Sequence, residues 1–298
     1  MSDRGPLGGL LVPVITPFDP ETGEVAPVAL RAHARRMLEA GASGLLAAGS
    51  TGEASLLDDT EYVRVIEWLR GVVPADRWLV AGAGRESTRA TLAACRAAAA
   101  AGADLVLVRP PAYYGPSLDV QALVDHFRAV ADGSPVPVLL YNIPKYTHVM
   151  LHDALIAQVA GHPNVHGAKD SSGDLKNFAD WRAAAPGWTL LVGSGSHAYP
   201  ALVLGAAGGI LGIANVVPEL AAELFARWRV GDHQGAGAAQ ERLGPLNKLV
   251  VGTLGVPGIK AAIELAGGQP SPVRPPLRPL GRALRQQIVD ALAAATQP

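Results

Sequence analysis

Short, continuous apolar segments alternate with longer amphipathic segments along most of the chain. The apolar segments are rich in β-forming residues and begin about 20 to 35 residues apart, which predicts strands separated by helices. Strands that are apolar throughout are typical of parallel sheets buried on both faces. The predicted strands are Leu10–Thr16, Gly44–Ala48, Trp78–Gly82, Leu105–Arg109, Val138–Tyr141, Val165–Lys169, Leu190–Gly193 and Ile210–Ala214. The predicted helices span 26–41, 57–73, 87–102, 118–132, 151–161, 175–185, 197–207 and 219–230.

Eight such strand–helix units predict an α/β fold, the (β/α)8 TIM barrel with additional C-terminal helices. We expect the barrel to span 1–232 and a helical extension, 233–298, to pack on it without forming a separate fold. The alternative is an open doubly wound sheet, which would have a Gly-x-Gly-x-x-Gly turn after its first strand. The residues there are Thr16-Pro17-Phe18-Asp19, and Gly82-Ala83-Gly84 after the third strand matches only in part. The barrel is therefore the favoured architecture.

Composition and charge exclude several classes of protein. The chain is 49% hydrophobic with a net charge of −1, so a large core can form, and no basic face is expected for nucleic acid or anionic membranes. The segment Ala198–Pro218 is uncharged and long enough to span a bilayer, but three glycines interrupt it, which favours a helix and a buried strand. The N-terminal residues show no signal peptide, so we expect a cytoplasmic protein without a membrane anchor.

Metal and disulfide chemistry have little support in the sequence. Cys95 is the one cysteine, which excludes an intrachain disulfide and a cysteine metal cluster. His162 and His166 have the spacing of ligands on one helix, but Pro163 between them breaks a helix. No metal site is therefore predicted.

The active site of a TIM barrel lies at the carboxyl ends of its strands, so the residues there are the candidates. Among the five lysines in 25 basic residues, Lys169 alone ends a predicted apolar strand. Burial disfavours the charged ammonium, and a neutral lysine can attack a keto carbon to form a Schiff base. Arginine could not do this, since its guanidinium stays charged. The alternative is a structural ion pair with Asp170, although the next residue on a strand faces the opposite side.

Two further strand ends bring polar groups to the same edge. Tyr141 precedes Lys169 by 28 residues, one strand–helix repeat, so the two should be neighbours at the same height in the barrel. Tyr141 is either a proton carrier or a half-buried tyrosine. Ser50 and Thr51 lie between glycines after the second strand, where hydroxyls and backbone N–H groups could hold a carboxylate. The alternative is that one of them caps a helix.

Three motifs together resemble a known family. Gly49-Ser50-Thr51-Gly52-Glu53, Tyr141-Asn142-Ile143-Pro144 and Gly167-Ala168-Lys169-Asp170 are similar in order and spacing to the motifs of the dihydrodipicolinate synthase / N-acetylneuraminate lyase family. The resemblance runs from about Gly8 to Gly268 and includes Pro257-Gly258-Ile259-Lys260. It implies a TIM barrel with a class I aldolase mechanism on pyruvate or related 2-oxo acids, without metal or cofactor.

The resemblance also implies roles for individual residues. Lys169 matches the Schiff-base lysine, and Tyr141 matches the tyrosine that carries protons at the imine. Ser50 and Thr51 match the pair that holds the carboxylate, with Ser50 also in the proton relay. Tyr113 matches a relay tyrosine contributed by a neighbouring subunit, which implies a homo-oligomer, a dimer or more commonly a homotetramer. Ile213 resembles a residue whose backbone touches the bound acid.

One departure from the family bears on the substrate. Dihydrodipicolinate synthases have an arginine two residues after the proline of the Tyr-Asn-x-Pro motif, where this chain has Tyr146. The residues from Lys169 to Asp174 are more similar to branches that cleave 4-hydroxy-2-oxoglutarate or 2-keto-3-deoxy sugar acids. Ser171, Ser194 and Tyr146 are then the candidates for contacts with the aldehyde portion of the substrate, and a dehydratase outcome is also open.

Three hypotheses follow for the function. The first is a Schiff-base lyase that makes or breaks a C–C bond of a 2-oxo acid, with 4-hydroxy-tetrahydrodipicolinate synthase as the alternative within the family. The second is a catalytically silent barrel that binds a 2-oxo acid, although binding alone requires neither Lys169 nor Tyr141. The third is a metal-dependent aldolase.

Overall fold

The computed structural model describes residues 5–296, whose strands form one closed barrel. All eight strands are parallel and each pairs with its neighbour in chain order, with the first strand closing against the eighth. The strands are β1 (Gly9–Pro13), β2 (Gly44–Ala47), β3 (Trp78–Gly82), β4 (Leu105–Val108), β5 (Val138–Asn142), β6 (Val165–Asp170), β7 (Thr189–Val192) and β8 (Gly208–Ile210). The predicted (β/α)8 barrel is confirmed, and the open sheet is excluded.

Helices follow the strands and continue beyond the eighth. They are α1 (Pro27–Glu39), α2 (Asp59–Arg70), α3 (Thr88–Ala100), α4 (Val120–Gly133), α5 (Pro144–Thr147), α6 (Asp153–Val159), α7 (Leu175–Ala184), α8 (Ala198–Val203), α9 (Pro218–Arg229), α10 (His233–Asn247), α11 (Gly255–Leu265) and α12 (Arg282–Thr296). Short 3₁₀ helices occupy Ala54–Leu56, Gly115–Ser117, Gly195–His197 and Gly212–Asn215, and a π-helix occupies Lys248–Thr253. Local side chains start several of them. Asp58 and Glu61, for example, form a reciprocal capping box at α2.

The strands are buried on both faces, as their continuous apolar sequences predict. Side chains from alternate positions fill the interior of the barrel, and those facing outward pack against the helices in a second, larger core. The interior residues are Leu11, Leu46, Val80, Leu105, Leu107, Leu139, Tyr141, Leu191 and Ile210, with Ile143 at one end. The interior is thus packed, and access to it is restricted to the ends of the strands.

The second to seventh predicted strands agree with the structure to within one residue at each end. The eighth prediction is wrong, because β8 ends at Ile210 and the chain then forms the 3₁₀ helix Gly212–Asn215. The cause is the side chain of Asn215, which donates to the carbonyls of Pro13 and Gly212, each at 2.9 Å, and accepts from the Ile15 N–H at 3.2 Å. These bonds hold the end of β8 against the end of β1. The first strand also ends earlier than predicted, at Pro13.

The C-terminal segment packs on the barrel through α10, the π-helix and α11. Leu243, Val250 and Ile259 are buried in the same core as the outward faces of the strands. The expected boundary between 232 and 233 falls between α9 and α10. The extreme ends of the two expected regions, 1–4 and 297–298, lie outside the described residues.

The uncharged segment Ala198–Pro218 contributes to four elements, α8, β8, the 3₁₀ helix Gly212–Asn215 and the start of α9. Within residues 5–296, no helix combines the length and the apolar character needed to cross a membrane.

Candidate active site

Lys169 and Tyr141 lie side by side near the carboxyl ends of β6 and β5. The strand register pairs Tyr141 directly with Lys169, as their spacing of one repeat predicts. Both residues are buried, and the Lys169 Nζ lies 4.3 Å from the centroid of the Tyr141 ring. Among the described residues, no carboxylate forms an ion pair with Lys169. Its amine is therefore next to a phenol and not next to an acid.

Asp170 faces away from the Lys169 amine, so the alternative of a structural Lys169–Asp170 ion pair is wrong. The Asp170 carboxylate accepts from the Asn142 Nδ2 at 2.8 Å and from the Ser172 N–H and Oγ at 3.0 and 2.8 Å. Burial raises the pKa of Asp170, and these hydrogen bonds oppose the rise. Asp170 thus orders the loop after β6 while Lys169 remains available.

Lys169 opens into a cavity of about 130 Å³ at the carboxyl ends of the strands. The cavity joins a wider mouth of about 540 Å³, since Ser50, Tyr141 and Tyr146 line both. Seven of the residues predicted from the sequence line the smaller cavity. They are Ser50, Thr51, Tyr141, Tyr146, Lys169, Ser171 and Ser194.

The hydroxyls of Ser50 and Thr51 are not used for helix capping. Glu53 occupies the cap position of the 3₁₀ helix Ala54–Leu56, and no side chain bonds to that cap. Within residues 5–296 neither hydroxyl has a hydrogen-bond partner in the protein. Thr51 Oγ1 lies close to Gly212, where an added Cβ would be 3.3 Å away. The pair is therefore free to bind a ligand beside the end of β8.

Gly193, the residue after β7, lies directly against the side chain of Lys169. An added Cβ at Gly193 would lie 2.9 Å from the Lys169 Cε and would collide with the Ser171 Oγ. Gly193 therefore allows Ser171 and Lys169 to meet at the cavity wall. The next residue, Ser194, has its Oγ 3.4 Å from the His197 Nδ1.

Two predicted residues do not line the cavity. Ile213 lies in the 3₁₀ helix after β8 with its side chain fully buried in the core, and its neighbours Ile210 and Gly212 line the cavity instead. The expectation for Ile213 came from the family resemblance and concerns its backbone, so it stays a prediction. Tyr113 is 79% exposed at the rim, with its backbone N–H bonded to Glu86, and it does not reach the cavity of its own chain.

A buried ion pair beneath the Ser50–Thr51 loop was not predicted. The Lys260 Nζ lies 2.6 Å from the Glu53 Oε1, and the two side chains are 2% and 0% exposed. Lys260 also donates to the carbonyls of Thr16 and Pro272 at 2.8 and 2.7 Å, and the Arg274 N–H donates to the other Glu53 oxygen at 2.9 Å. Burial lowers the pKa of Lys260, and Glu53 opposes this. The signal in the sequence was a scarce lysine within the apolar sequence of α11.

Asn247 is a second residue that sequence reasoning missed. It is the last residue of α10, is buried, and lines the cavity that holds Lys169. In the described part of the chain, no group of three or more His, Cys, Asp or Glu side chains is arranged as a metal site.

Comparisons with known proteins agree with this geometry. The model of the dihydrodipicolinate synthetase family matches residues 6–295. A 4-hydroxy-tetrahydrodipicolinate synthase of Acidiphilium cryptum is 35% identical over 95% of this chain and 97% of its own length. An uncharacterized DapA-like lyase of Halobacterium salinarum is 37% identical over 92% of this chain and 90% of its own length.

Solved structures show the same fold. YagE, a prophage protein of the dihydrodipicolinic acid synthase family from E. coli K12 in complex with pyruvate, has a TM-score of 0.92 and 28% identity, covering 98% of this chain and 99% of its own. The chloride-inhibited dihydrodipicolinate synthase of Acinetobacter baumannii, complexed with pyruvate, has a TM-score of 0.91 and 29% identity, covering 97% and 99%.

The buried ion pair generates a prediction about stability. Glu53→Gln is expected to lower the free energy of unfolding by about 3 to 5 kcal/mol, because it leaves Lys260 buried without its counter-charge. Urea denaturation measures the change. Glu264→Gln is the control, since it removes the partly exposed partner of Arg285 and should cost less than about 1 kcal/mol. Equal losses in the two variants would contradict the prediction.

Proposed function

The chain belongs to the dihydrodipicolinate synthetase family of class I, pyruvate-dependent lyases, and we propose on that premise that Lys169 forms the Schiff base. The observation that carries the assignment is a buried lysine without a carboxylate partner, in register with Tyr141 at the mouth of the barrel. Lys260, the other buried lysine, is held by Glu53 and is not available for this chemistry.

The positions of the polar groups suggest how the reaction proceeds. The hydroxyls of Ser50 and Thr51 hold the carboxylate of the 2-oxo acid, so that its keto carbon meets the Lys169 amine. The amine attacks that carbon, and the carbinolamine loses its hydroxyl as water after Tyr141 supplies a proton. The resulting iminium attracts the electrons of the bond between the next two carbons. In cleavage that bond breaks as Tyr141, deprotonated in the previous step, takes the proton of the hydroxyl on the departing carbon. The aldehyde leaves, the enamine takes the same proton back to become the pyruvate imine, and water hydrolyses the imine to pyruvate and free Lys169.

The proposed substrates are 2-oxo acids with a hydroxyl further along the chain, of the 4-hydroxy-2-oxoglutarate or 2-keto-3-deoxy sugar acid type. Tyr146 stands where synthases have an arginine, and its neighbour Lys145 donates to the Gly252 carbonyl at 2.6 Å. The phenol of Tyr146, and a Lys145 amine that is already hydrogen-bonded to a backbone carbonyl, are poor substitutes for the planar guanidinium that binds a second carboxylate. Ser171 and Ser194 add hydroxyls to the cavity wall that suit a hydroxylated substrate.

Synthesis of 4-hydroxy-tetrahydrodipicolinate is the second candidate function. It is supported by relatives that are themselves 4-hydroxy-tetrahydrodipicolinate synthases and are 35 to 37% identical over most of this chain. The two candidates share the pyruvate imine and enamine on Lys169, and they differ in the partner aldehyde and in whether the C–C bond is broken or formed.

We also propose that the active enzyme is a homo-oligomer, a dimer or a homotetramer, in the cytoplasm. Tyr113 supports this, because it is exposed on its own subunit and lies outside that subunit's cavity. In an oligomer its phenol would complete the proton relay of a neighbouring subunit.

Incubation with pyruvate followed by borohydride reduction is expected to add one reduced pyruvate to the intact mass. The adduct should be absent in Lys169→Ala and unchanged in Lys176→Ala, the control, since Lys176 is exposed and pairs with Asp180 on the surface. An adduct that persists in Lys169→Ala contradicts the assignment. Pyruvate binding of unchanged affinity in that variant, with no turnover of any aldol, would identify a barrel that binds without catalysis.

Tyr141→Phe is expected to lower kcat by a factor of about 10² to 10⁴, because it removes the proton donor but leaves the ring beside Lys169. Steady-state release of pyruvate from 4-hydroxy-2-oxoglutarate measures this. Tyr62→Phe is the matched control, since Tyr62 is another buried tyrosine, on α2, whose hydroxyl faces the Ala94 carbonyl at 3.4 Å. A similar kcat in the Tyr141→Phe and Tyr62→Phe variants would exclude the proton-transfer role.

A substrate panel tests the two candidate functions. We expect pyruvate release from 4-hydroxy-2-oxoglutarate or 2-keto-3-deoxygluconate, and poor condensation of pyruvate with aspartate semialdehyde. Tyr146→Arg should raise the condensation rate relative to cleavage, because it restores a bidentate carboxylate partner. Efficient condensation by the unaltered enzyme, without cleavage of either hydroxylated acid, would favour the synthase.

A further inference from the structure

Asn142 and Asp170 directly follow Tyr141 and Lys169 on their strands and take no part in the steps described above. The register of β5 and β6 pairs Asn142 with Asp170, next to the pair of Tyr141 and Lys169. Because successive side chains on a strand face opposite sides, Asn142 and Asp170 face away from the barrel interior. Both are buried, and neither lines the cavity or the wider mouth. They therefore do not touch a substrate held on Lys169.

A side-chain hydrogen bond joins the two strands at this point. The Asn142 Nδ2 donates to the Asp170 Oδ1 at 2.8 Å, and the Asn142 Oδ1 accepts from the Leu151 N–H at 3.0 Å. A carboxylate can only accept and a backbone N–H can only donate, so these two partners determine which side of the amide faces Asp170. The amide is thus held on both sides, and it cannot rotate without breaking a buried hydrogen bond.

The Asp170 carboxylate depends on such bonds. Its residue is 4% exposed, and within residues 5–296 no cation forms an ion pair with it. A buried charge without a counter-ion is retained only where hydrogen bonds satisfy it. Ser172, which supplies two further donors, lies on the same segment of chain, whereas Asn142 lies on the neighbouring strand. Asn142 therefore ties the carboxylate of β6 to β5.

The location of this bond relates it to the reaction. β5 ends at Asn142 and β6 ends at Asp170, so the bond joins the last register pair of the two strands. The Gly193 N–H after β7 donates to the Asp170 carbonyl at 2.7 Å, which adds a third strand to the same point. A displacement of about 1 Å in a reacting group can lower a rate about 10²-fold. A cross-link here prevents the ends of β5 and β6 from separating where Tyr141 and Lys169 lie.

We propose that the hydrogen bond between Asn142 and Asp170 sets the phenol of Tyr141 against the amine of Lys169, which makes both residues positioning residues for proton transfer. This inference rests on the proposed function, since it requires Tyr141 to transfer protons at Lys169. The hydrogen bond and not the charge of Asp170 is what the role requires. Asp170→Asn keeps an oxygen that can accept from Asn142, whereas Asp170→Leu does not.

The test follows exchange of the methyl protons of pyruvate for deuterium by NMR. This exchange passes through the imine and the enamine and needs no aldehyde, so it does not depend on which candidate function is correct. We expect Asn142→Leu to lower the maximal exchange rate about 10- to 100-fold, but less than about threefold in the Tyr141→Phe background, because residues that act as a unit are not additive. The pyruvate concentration that half-saturates borohydride trapping should change less than about threefold, since Ser50 and Thr51 still hold the carboxylate.

Two further comparisons separate positioning from a loss of stability. Asp170→Asn should exchange within about threefold of the unaltered enzyme, whereas Asp170→Leu should be as slow as Asn142→Leu. Asn164→Leu is the matched control, because Asn164 precedes β6 at its other end and donates to the carbonyls of Ala131 and Ser134 at 2.9 and 3.1 Å. It removes a cross-linking amide far from Lys169 and should leave the exchange rate unchanged. If Asn142→Leu does not fold, Asn142→Ser, which is too short to reach Asp170, takes its place.

The proposal is overturned if Asn142→Leu lowers the exchange rate by the same factor in both backgrounds, or if Asn164→Leu lowers it as much. It is also overturned if Asp170→Asn is as slow as Asp170→Leu. An unaltered enzyme that neither traps pyruvate nor exchanges its protons would instead contradict the Schiff-base function itself.

Discussion

The geometry of the barrel mouth depends on the buried ion pair between Glu53 and Lys260. Removing both charges from water is costly, and only close contact and further hydrogen bonds offset that cost. Here the contact is 2.6 Å, and the Arg274 N–H completes the carboxylate. Glu53 directly follows the loop that carries Ser50 and Thr51, and Lys260 belongs to α11. The pair therefore links the loop of Ser50 and Thr51 to the C-terminal helices, although Glu53 and Lys260 are more than 200 residues apart in the sequence.

The same pair explains why two buried lysines can serve different purposes. Lys260 is surrounded by a carboxylate and backbone carbonyls, which hold it as a cation. Lys169 is buried to a similar degree, but its neighbour is the face of Tyr141, and the adjacent Asp170 is turned to other partners. Among the described residues, Lys169 is therefore the buried lysine whose amine has no carboxylate paired with it. The chemistry of the site follows from which lysine has an acid beside it.

The features predicted from the sequence are those set by local pattern and repeat length. The apolar strands, their order and the pairing of Tyr141 with Lys169 follow from one unit repeated around a closed barrel. The features that were missed depend on contacts between distant parts of the chain. Asn215 bonds to the end of β1, and β8 ends at Ile210, earlier than the predicted strand. Asn247 lies in a helix whose sequence gives no sign that it reaches the barrel mouth.

This difference divides the site into two parts with different origins. Lys169 and Tyr141 lie on strands, and Ser50 and Thr51 directly follow one, so the repeated strand–helix unit brings all four to the cavity. The helices after the barrel supply Asn247, Val251 and Val256, which line the same cavity from the side of the C-terminal segment. Function on a common fold resides in such attached sites and not in the fold itself. A change in the C-terminal helices can therefore reshape one wall of the cavity without moving Lys169 or Tyr141, provided that the Glu53–Lys260 pair keeps the two parts in register.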